Sequence, residues 1–202
     1  MYKLSEFFSS GNCYKIRLLL TQLNIPFQRI EINILKGESR TADFLAKNPN
    51  GRTPVLEIEH GKFLAESNAI LFYLSEGTDF LPTDSFEKAQ VLQWLFFEQY
   101  SHEPYIATSR YWISILGKAE EYREALNQKR AGGEAALKVM EKHLTEHQYF
   151  VGERYTIADI ALFAYTHVAD EGGFDLSGFP AIQAWIKRVQ AQPKHISITQ
   201  QV

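Results

Sequence analysis

Residues 48 to 70 read NPNGRTPVLEIEHGKFLAESNAI, and the fold turns on how they divide. Thr53-Pro54 leads into the apolar run Val55 to Ile58, and His60-Gly61 is a two-residue hairpin signal that joins this run to Phe63–Ala65. Glu66-Ser67 stands where the pattern turns helical, through Leu74. A proline at a strand start is ordinary, because it has no N–H to give to the ladder. A second reading is a cis Thr53–Pro54 bond. That would turn the backbone of Thr53 outward, so that its N–H and C=O pair with an extended peptide ligand. Glu66-Ser67 also has two readings. Ser67 is a helix N-cap with Glu66 merely beside it, or the N–H groups of this helix start bind a carboxylate while Glu66 or a neighbour takes up an ammonium.

Working outward, YKLSEF (2–7) reads as a short strand, followed by the polar turn Ser9-Ser10-Gly11-Asn12. From Cys13 the pattern is helical: Ile16, Leu19, Leu20 and Leu23 recur at helical spacing, Lys15 and Arg17 point off that stripe, and Asn24 and Pro26 close the helix. FQRIEINI (27–34) alternates as a strand. The connection suits a parallel crossover. Residues 35–53 read as loop and short helix, with Phe44 and Leu45 as core candidates. The segment 1–76 is therefore a small α/β domain, β-α-β then β-β-α. GTDFLPTDS (77–85) is a linker rich in turn formers. Residues 86–202 form an all-helical domain, with helical periodicity over 86–116, 120–146, 156–171 and 180–190. Thr156-Ile157-Ala158-Asp159 has the form of a capping box.

The chain has 202 residues, 45% hydrophobic and 22% charged, with a net charge of −3. This is the composition of an ordinary globular protein. It gives no footing for nucleic acid or an anionic membrane surface, although local charge can still bind an acidic metabolite. The segment MYKLSEFFSSGNCYKIR lacks the apolar core of a secretory signal, and no run reaches the roughly 18 apolar residues of a membrane span. The single cysteine, Cys13, excludes an internal disulfide and a CxxC pair. These features lead us to expect a reduced, cytoplasmic protein. His60, His143, His147, His167 and His195 form no metal-ligand spacing, and no metal is expected.

The polar turn Ser9–Asn12 opening the first helix, NPNGRTPVLE (48–57), LAESNAI (64–70) and TIADIAL (156–162) occur in one chain and in this order. As a set they resemble the cytosolic glutathione transferases, of bacterial type with a serine-like active-site turn, over nearly the full length. The resemblance implies a thioredoxin-like first domain and an all-helical second domain. It also implies glutathione as co-substrate with no other cofactor, and a homodimer. In that family the residue before the cis-proline pairs with the cysteinyl backbone of glutathione, and a Glu-Ser pair holds its γ-glutamyl end. Those roles fall to Thr53, Pro54, Glu66 and Ser67.

Glutathione carries a thiol with a pKa near ~8.5, and its thiolate is the nucleophile. Lowering that pKa by about two units takes ~2.7 kcal/mol of preferential stabilisation. The turn before the first helix is placed for this, at a helix N-terminus where N–H groups and the dipole favour an anion, with Gly11 allowing close approach. Ser10 is the first candidate donor to the sulfur, Asn12 the second and Ser9 the third. Simple N-capping accounts for all three without a ligand. Cys13 lies beyond the catalytic position of the cysteine-type members, and as a lone helical cysteine it reads as small apolar filling. Arg52, then Lys36, are the candidate cations for the glycyl carboxylate; both read equally well as solvated surface charges.

SHEPYIATSRYW (101–112) offers His102, Tyr105, Ser109 and Trp112 as the wall for a hydrophobic electrophile in a cleft between the domains, or as plain packing. Glu98 and Gln99 are candidates to approach the γ-glutamyl amine of a partner subunit. The run Trp94-Leu95-Phe96-Phe97 is too apolar for one face of a free helix, and suits an interface or core equally. Asp159 is expected to cap a helix, not to do chemistry. The leading function is a glutathione transferase. Glutathione-dependent peroxide or disulfide reduction, and glutathione binding without catalysis, are the alternatives.

Overall fold

The computed structural model describes residues 1 to 201. The chain forms two compact units: Met1–Glu76 together with the chain from Pro193 onward, and Gly77–Gln192.

The first unit is built on strands β1 (Tyr2–Glu6), β2 (Phe27–Glu31), β3 (Val55–Glu59) and β4 (Lys62–Ala65), and helices α1 (Gly11–Gln22), α2 (Ala42–Leu45) and α3 (Ser67–Ser75). The sheet order is β2-β1-β3-β4. β1 runs parallel to β2, with Tyr2 opposite Phe27, and antiparallel to β3, with Leu4 opposite Leu56. β3 returns as β4 through His60-Gly61, with Val55 opposite Ala65. Gly61 has φ +77, a conformation glycine adopts without penalty. This is the thioredoxin-like arrangement expected from the motifs. Leu4, Ile16, Leu19, Leu20, Leu56 and Ile70 are wholly buried and make the core between the sheet and the helices.

Several expectations are corrected here. β2 ends at Glu31, because Asn33 caps a short 3₁₀ turn over Ile34–Lys36 by accepting from Lys36 N at 3.1 Å. α1 begins at Gly11, so Asn12 and Cys13 lie in its first turn. Lys15 and Arg17, off the apolar stripe, are nonetheless wholly buried. Arg17 pairs with Glu6 of β1, which also pairs with Arg29 of β2. A buried carboxylate requires such partners. Arg17 Nη2 also donates to the carbonyls of Phe8 (3.1 Å) and Ile198 (2.9 Å), and the Tyr14 hydroxyl donates to the Ile196 carbonyl at 2.7 Å. These donors hold the chain from Pro193 onward on the first unit, so the helical unit stops at Gln192, short of the expected 202. The returning segment has no helical periodicity, and its carbonyls need donors that α1 supplies.

The second unit holds α4 (Ser85–Phe97), α5 (Glu103–Arg110), α6 (Arg123–Glu146), α7 (Ile157–Thr166) and α8 (Pro180–Gln190). The expected linker 77–85 belongs to this unit. Asp84 caps α4, accepting from Phe86 N at 3.0 Å and Glu87 N at 2.9 Å. The expected single helix over 86–116 is interrupted by two wider π-type turns, Glu98–His102 and Tyr111–Ile115. Pro104 lies in the first turn of α5, where its missing N–H is tolerated. α7 is buried along its whole length. Among the described residues, no helix is long and apolar enough to cross a membrane.

Candidate functional site

Three stretches far apart in sequence meet at the N-terminal tip of α1. Ser10 is the N-cap, its Oγ accepting from Cys13 N at 3.4 Å. The Cys13 side chain is hydrogen-bonded to the side chains of Thr53 and Ser10 and to the backbone of Phe7, which fixes the tip of α1 against the loop before β3. The Thr53–Pro54 bond is cis. Asn12 Oδ1 accepts from Ser67 Oγ at 3.2 Å, which fixes the same tip against α3. Lys15 Nζ, one turn further along α1, donates to Ser67 Oγ at 3.3 Å and Asn68 Oδ1 at 3.2 Å.

Burial pushes the Cys13 thiol up to about 11, with the nearby Glu6 carboxylate adding to the shift and the hydrogen bonds from Thr53, Ser10 and Phe7 opposing it. At neutral pH it stays a thiol, and a thiol is a poor nucleophile. Its role is apolar filling with a hydrogen bond, as the sequence suggests.

The start of α3 differs from the simpler sequence reading. Ser67 is the first helical residue, and the N-cap position belongs to Glu66, whose side chain makes no capping bond. Glu66 has φ +66 and ψ 113, a region that costs a non-glycine residue of order 1 kcal/mol or more, and it is exposed. Ser67, by contrast, is buried. A helix start without its own side-chain cap is a ready anion site.

Of the two candidate cations, Arg52 is exposed and adjoins Thr53. Its carbonyl accepts from Asn48 Nδ2 at 2.8 Å, and Asn48 Oδ1 accepts from Asn50 N at 3.1 Å, which sets the loop ahead of Pro54. Lys36 is exposed on the Ile34–Lys36 turn and is not among the groups that meet at α1. Ser9 is half-buried in the turn before Ser10.

In the helical unit the four expected electrophile-site residues separate. His102 is wholly buried, with Nε2 2.9 Å from Thr166 Oγ1. The Ser109 hydroxyl donates to the Tyr105 carbonyl at 2.7 Å. Tyr105 and Trp112 do share a face, with Lys129 Nζ 5.6 Å and 5.5 Å from their rings, and Trp112 stacks on Tyr122 at 4.6 Å. Tyr105 lines a groove with Phe97, Tyr100 and Gly132, whereas Ser109 lines a different one with Ile113, Arg123 and Arg130. Glu98 is buried and accepts from Gln99 Nε2 at 2.8 Å. Asp159 completes the expected capping box with Thr156 and also accepts from Trp185 Nε1 at 2.9 Å. Among the described residues, no three His, Cys, Asp or Glu side chains are grouped to hold a metal ion.

This arrangement, a polar helix tip joined to a loop ahead of a cis-proline and to an uncapped helix start, can bind an extended anionic ligand and present donors to one of its atoms. The family model for the glutathione S-transferase N-terminal domain matches residues 2–76, and that for the glutathione S-transferase C-terminal domain matches residues 94–193. The chain belongs to the glutathione S-transferase family. A glutathione S-transferase from Pseudomonas fluorescens Pf-5 is similar in structure, at 55% identity and a TM-score of 0.96, over 98% of this chain and 99% of that one. Ure2p, in a structure of its complex with glutathione, matches at 26% identity and a TM-score of 0.85, over 96% and 95%. Among curated proteins, the disulfide-bond oxidoreductase YfcG of Escherichia coli K12 is 28% identical over 195 residues, 93% of this chain and 89% of that protein.

Two residues of this arrangement, Lys15 and Asn68, escaped sequence reasoning. A signal was present for Lys15. It lies three residues after Asn12, so both fall on one face of α1, but a lysine off the apolar stripe reads as solvated by default.

Proposed function

We propose that the chain is a glutathione transferase that ionises the thiol of bound glutathione for attack on a hydrophobic electrophile. In this reading the γ-glutamyl carboxylate takes the N–H groups at the start of α3 with the Ser67 hydroxyl, and Glu66 takes the γ-glutamyl amine. The cysteinyl backbone pairs with Thr53 beside Pro54. Arg52 is the nearer cation for the glycyl carboxylate and Lys36 the more remote one. The sulfur lies at the tip of α1, where Ser10 and Asn12 donate and Ser9 stands next in line. Tyr105 and Trp112 remain the aromatic wall for the electrophile; His102 and Ser109 direct their polar groups into the helical unit.

The observation that carries this reading is the joining of the three sequence-distant stretches: Ser67 to Asn12 at 3.2 Å, and Thr53 to Cys13. The chemistry needs no protein nucleophile. The sulfur of glutathione loses its proton to solvent and forms a carbon–sulfur bond as the electrophile's leaving group departs. Positioning and thiolate stabilisation supply the rate. The test is conjugation of an aryl halide by purified protein. Ser10→Ala is expected to reduce the rate sharply with folding intact, and an unchanged rate at several pH values would reject Ser10 as the donor in favour of Asn12.

A second reading is reduction of peroxides or disulfides by the same thiolate. The likeness to an oxidoreductase named for disulfide chemistry supports it, with the bound tripeptide and not Cys13 as the reacting thiol. Retention on glutathione resin without turnover of aryl halide, hydroperoxide or disulfide would favour a non-catalytic binding protein instead. We further propose a homodimer, supported by Phe96 and Tyr100, four residues apart and 69% and 85% exposed; light scattering tests it. A single cysteine held as a thiol supports a cytoplasmic location.

A further inference from the structure

The turn 7–10, which carries Ser9 and Ser10 to the tip of α1, is closed by a bond from Ser10 N to the Phe7 carbonyl at 2.9 Å. Phe8 is the first of its two central residues, and the peptide groups on either side of Phe8 decide how Ser10 is presented. We infer that Arg17 and Glu31 are positioning residues that clamp these two peptide groups and so aim the Ser10 hydroxyl at the sulfur. The inference rests on the glutathione site proposed above and deepens it, because it names what holds the thiolate donor in place.

The clamp draws on three elements. Glu31, the last residue of β2, accepts from Phe8 N at 3.1 Å. Arg17 of α1 is wholly buried. Its Nη2 donates to the Phe8 carbonyl at 3.1 Å and to the Ile198 carbonyl at 2.9 Å; the nitrogen has two protons, and these acceptors use both. Its Nη1 reaches Glu6 of β1, whose other oxygen takes Arg29 of β2. Both guanidinium carbons lie over the Phe8 ring, at 4.7 Å and 4.9 Å from its centroid, where an aromatic face attracts a cation. The N–H, the carbonyl and the ring of one residue, two positions before Ser10, are all held by charged side chains. Ser10 Oγ accepts from Cys13 N at 3.4 Å, and Cys13 stays a thiol with a proton of its own, so the Ser10 proton is left for a bound sulfur.

Stability alone does not account for this arrangement. Apolar side chains often replace a buried ion pair without loss. Arg17 Nε is also buried without a hydrogen-bond partner among the described residues, which costs stability. An arginine supplies what an apolar residue or a lysine does not, a planar fork that serves a carboxylate and two carbonyls from fixed directions. Neither Arg17 nor Glu31 is assigned to the tripeptide, so their effect passes through Phe8 to Ser10.

The test follows the ultraviolet absorbance of the thiolate of glutathione, bound at saturation, against pH, beside steady-state conjugation of an aryl halide. Arg17→Lys keeps a positive charge for Glu6 and loses the fork. It is expected to raise the bound thiol's titration by about one pH unit and to lower kcat at neutral pH by about tenfold, with KM for glutathione within about threefold of wild type. Glu31→Ala, a change at an exposed position, is expected to shift the titration upward by less. Loss of a nearby acid would by itself move a thiol to lower pH, so the sign separates a displaced turn from a changed charge. In a Ser10→Ala background neither variant is expected to add a shift. An Arg17→Lys titration that overlays the wild type, an absent or downward shift in Glu31→Ala, or shifts that persist without the Ser10 hydroxyl would overturn the inference alone. If Arg17→Lys does not fold, Glu31→Ala decides by itself. A wild-type protein that neither binds nor ionises glutathione would overturn the functional reading and this inference with it.

Discussion

At the start of α7, Thr156 and Asp159 face each other; at the start of α3, Glu66 and Ser67 stand side by side. Each place pairs an acid with a hydroxyl at a helix N-terminus, yet the two are built in opposite ways. Asp159 is wholly buried and accepts from Thr156 N at 2.9 Å, Trp185 Nε1 at 2.9 Å and Phe150 N at 3.3 Å. The helix start is satisfied by the protein's own side chains, and no place is left for a ligand. Glu66 is exposed, makes no capping bond, and carries a positive φ. Its neighbour Ser67 is turned into a polar line that leads to α1. A cap that closes on itself contributes to folding, whereas one left open, with a strained backbone beside it, is available for binding. The start of α1 is intermediate: Ser10 caps it, but at 3.4 Å.

The comparison is broken most directly at the closed cap. Asp159→Ala should destabilise the protein by about 3–4 kcal/mol in urea denaturation, because it leaves the Trp185 and Phe150 donors buried without an acceptor; a loss under about 1 kcal/mol would remove Asp159 from its structural role. The same residue gives a pH signature. Burial pushes Asp159 up to about 6, against the opposing hydrogen bonds of Trp185, Thr156 and Phe150. The folded protein thus holds this proton to higher pH than the unfolded chain. The contribution is fully present below the unfolded value of about 3.9 and is lost as pH rises through about 6. Between pH 7 and pH 4, wild type should gain stability relative to Asp159→Asn as the pH falls, and a flat difference would contradict the burial argument.

The open cap should respond in binding more than in folding. Ser67→Ala is expected to weaken glutathione binding by about 10- to 100-fold, the loss of one hydrogen bond to a charged group, with a smaller change in stability. Calorimetry showing the reverse order would make α3's start a folding element like α7's. Glu66→Gly should do what no substitution at Asp159 can. It relieves the positive φ and raises stability by about 1 kcal/mol while lowering glutathione affinity; a destabilised variant would show that Glu66 is not strained. Native Cys13 should alkylate far more slowly than in the unfolded chain between pH 7 and 9, because the thiolate is suppressed.

Local chemistry was legible wherever one residue's neighbours in sequence decide its state. The hairpin at His60-Gly61, the capping box of α7 and the helical periods of the second unit follow from spacings of a few residues. Thr53, Pro54, Glu66, Ser67, Ser10 and Asn12 were selected by motif, and the structure brings their segments together. The aromatic run at 101–112 stayed open between substrate wall and packing because helical spacing does not say which side of a helix is buried; His102 is core, bonded to Thr166. The breaks at Glu98–His102 and Tyr111–Ile115 were hidden because a π-type turn shifts the period by only one residue.

From the sequence alone come the order of strands and helices, the division into an α/β and a helical part, and the short list of polar residues from which a glutathione site can be made. Periodicity and turn chemistry report burial along a single element, so these are local readings. Only the tertiary structure shows that Lys15 and Arg17 are interior, that the chain from Pro193 returns to α1, and that Ser67 links Lys15 to Asn12. A buried polar group must find its partner wherever packing brings one, and the distance along the chain to that partner leaves no pattern in a single sequence.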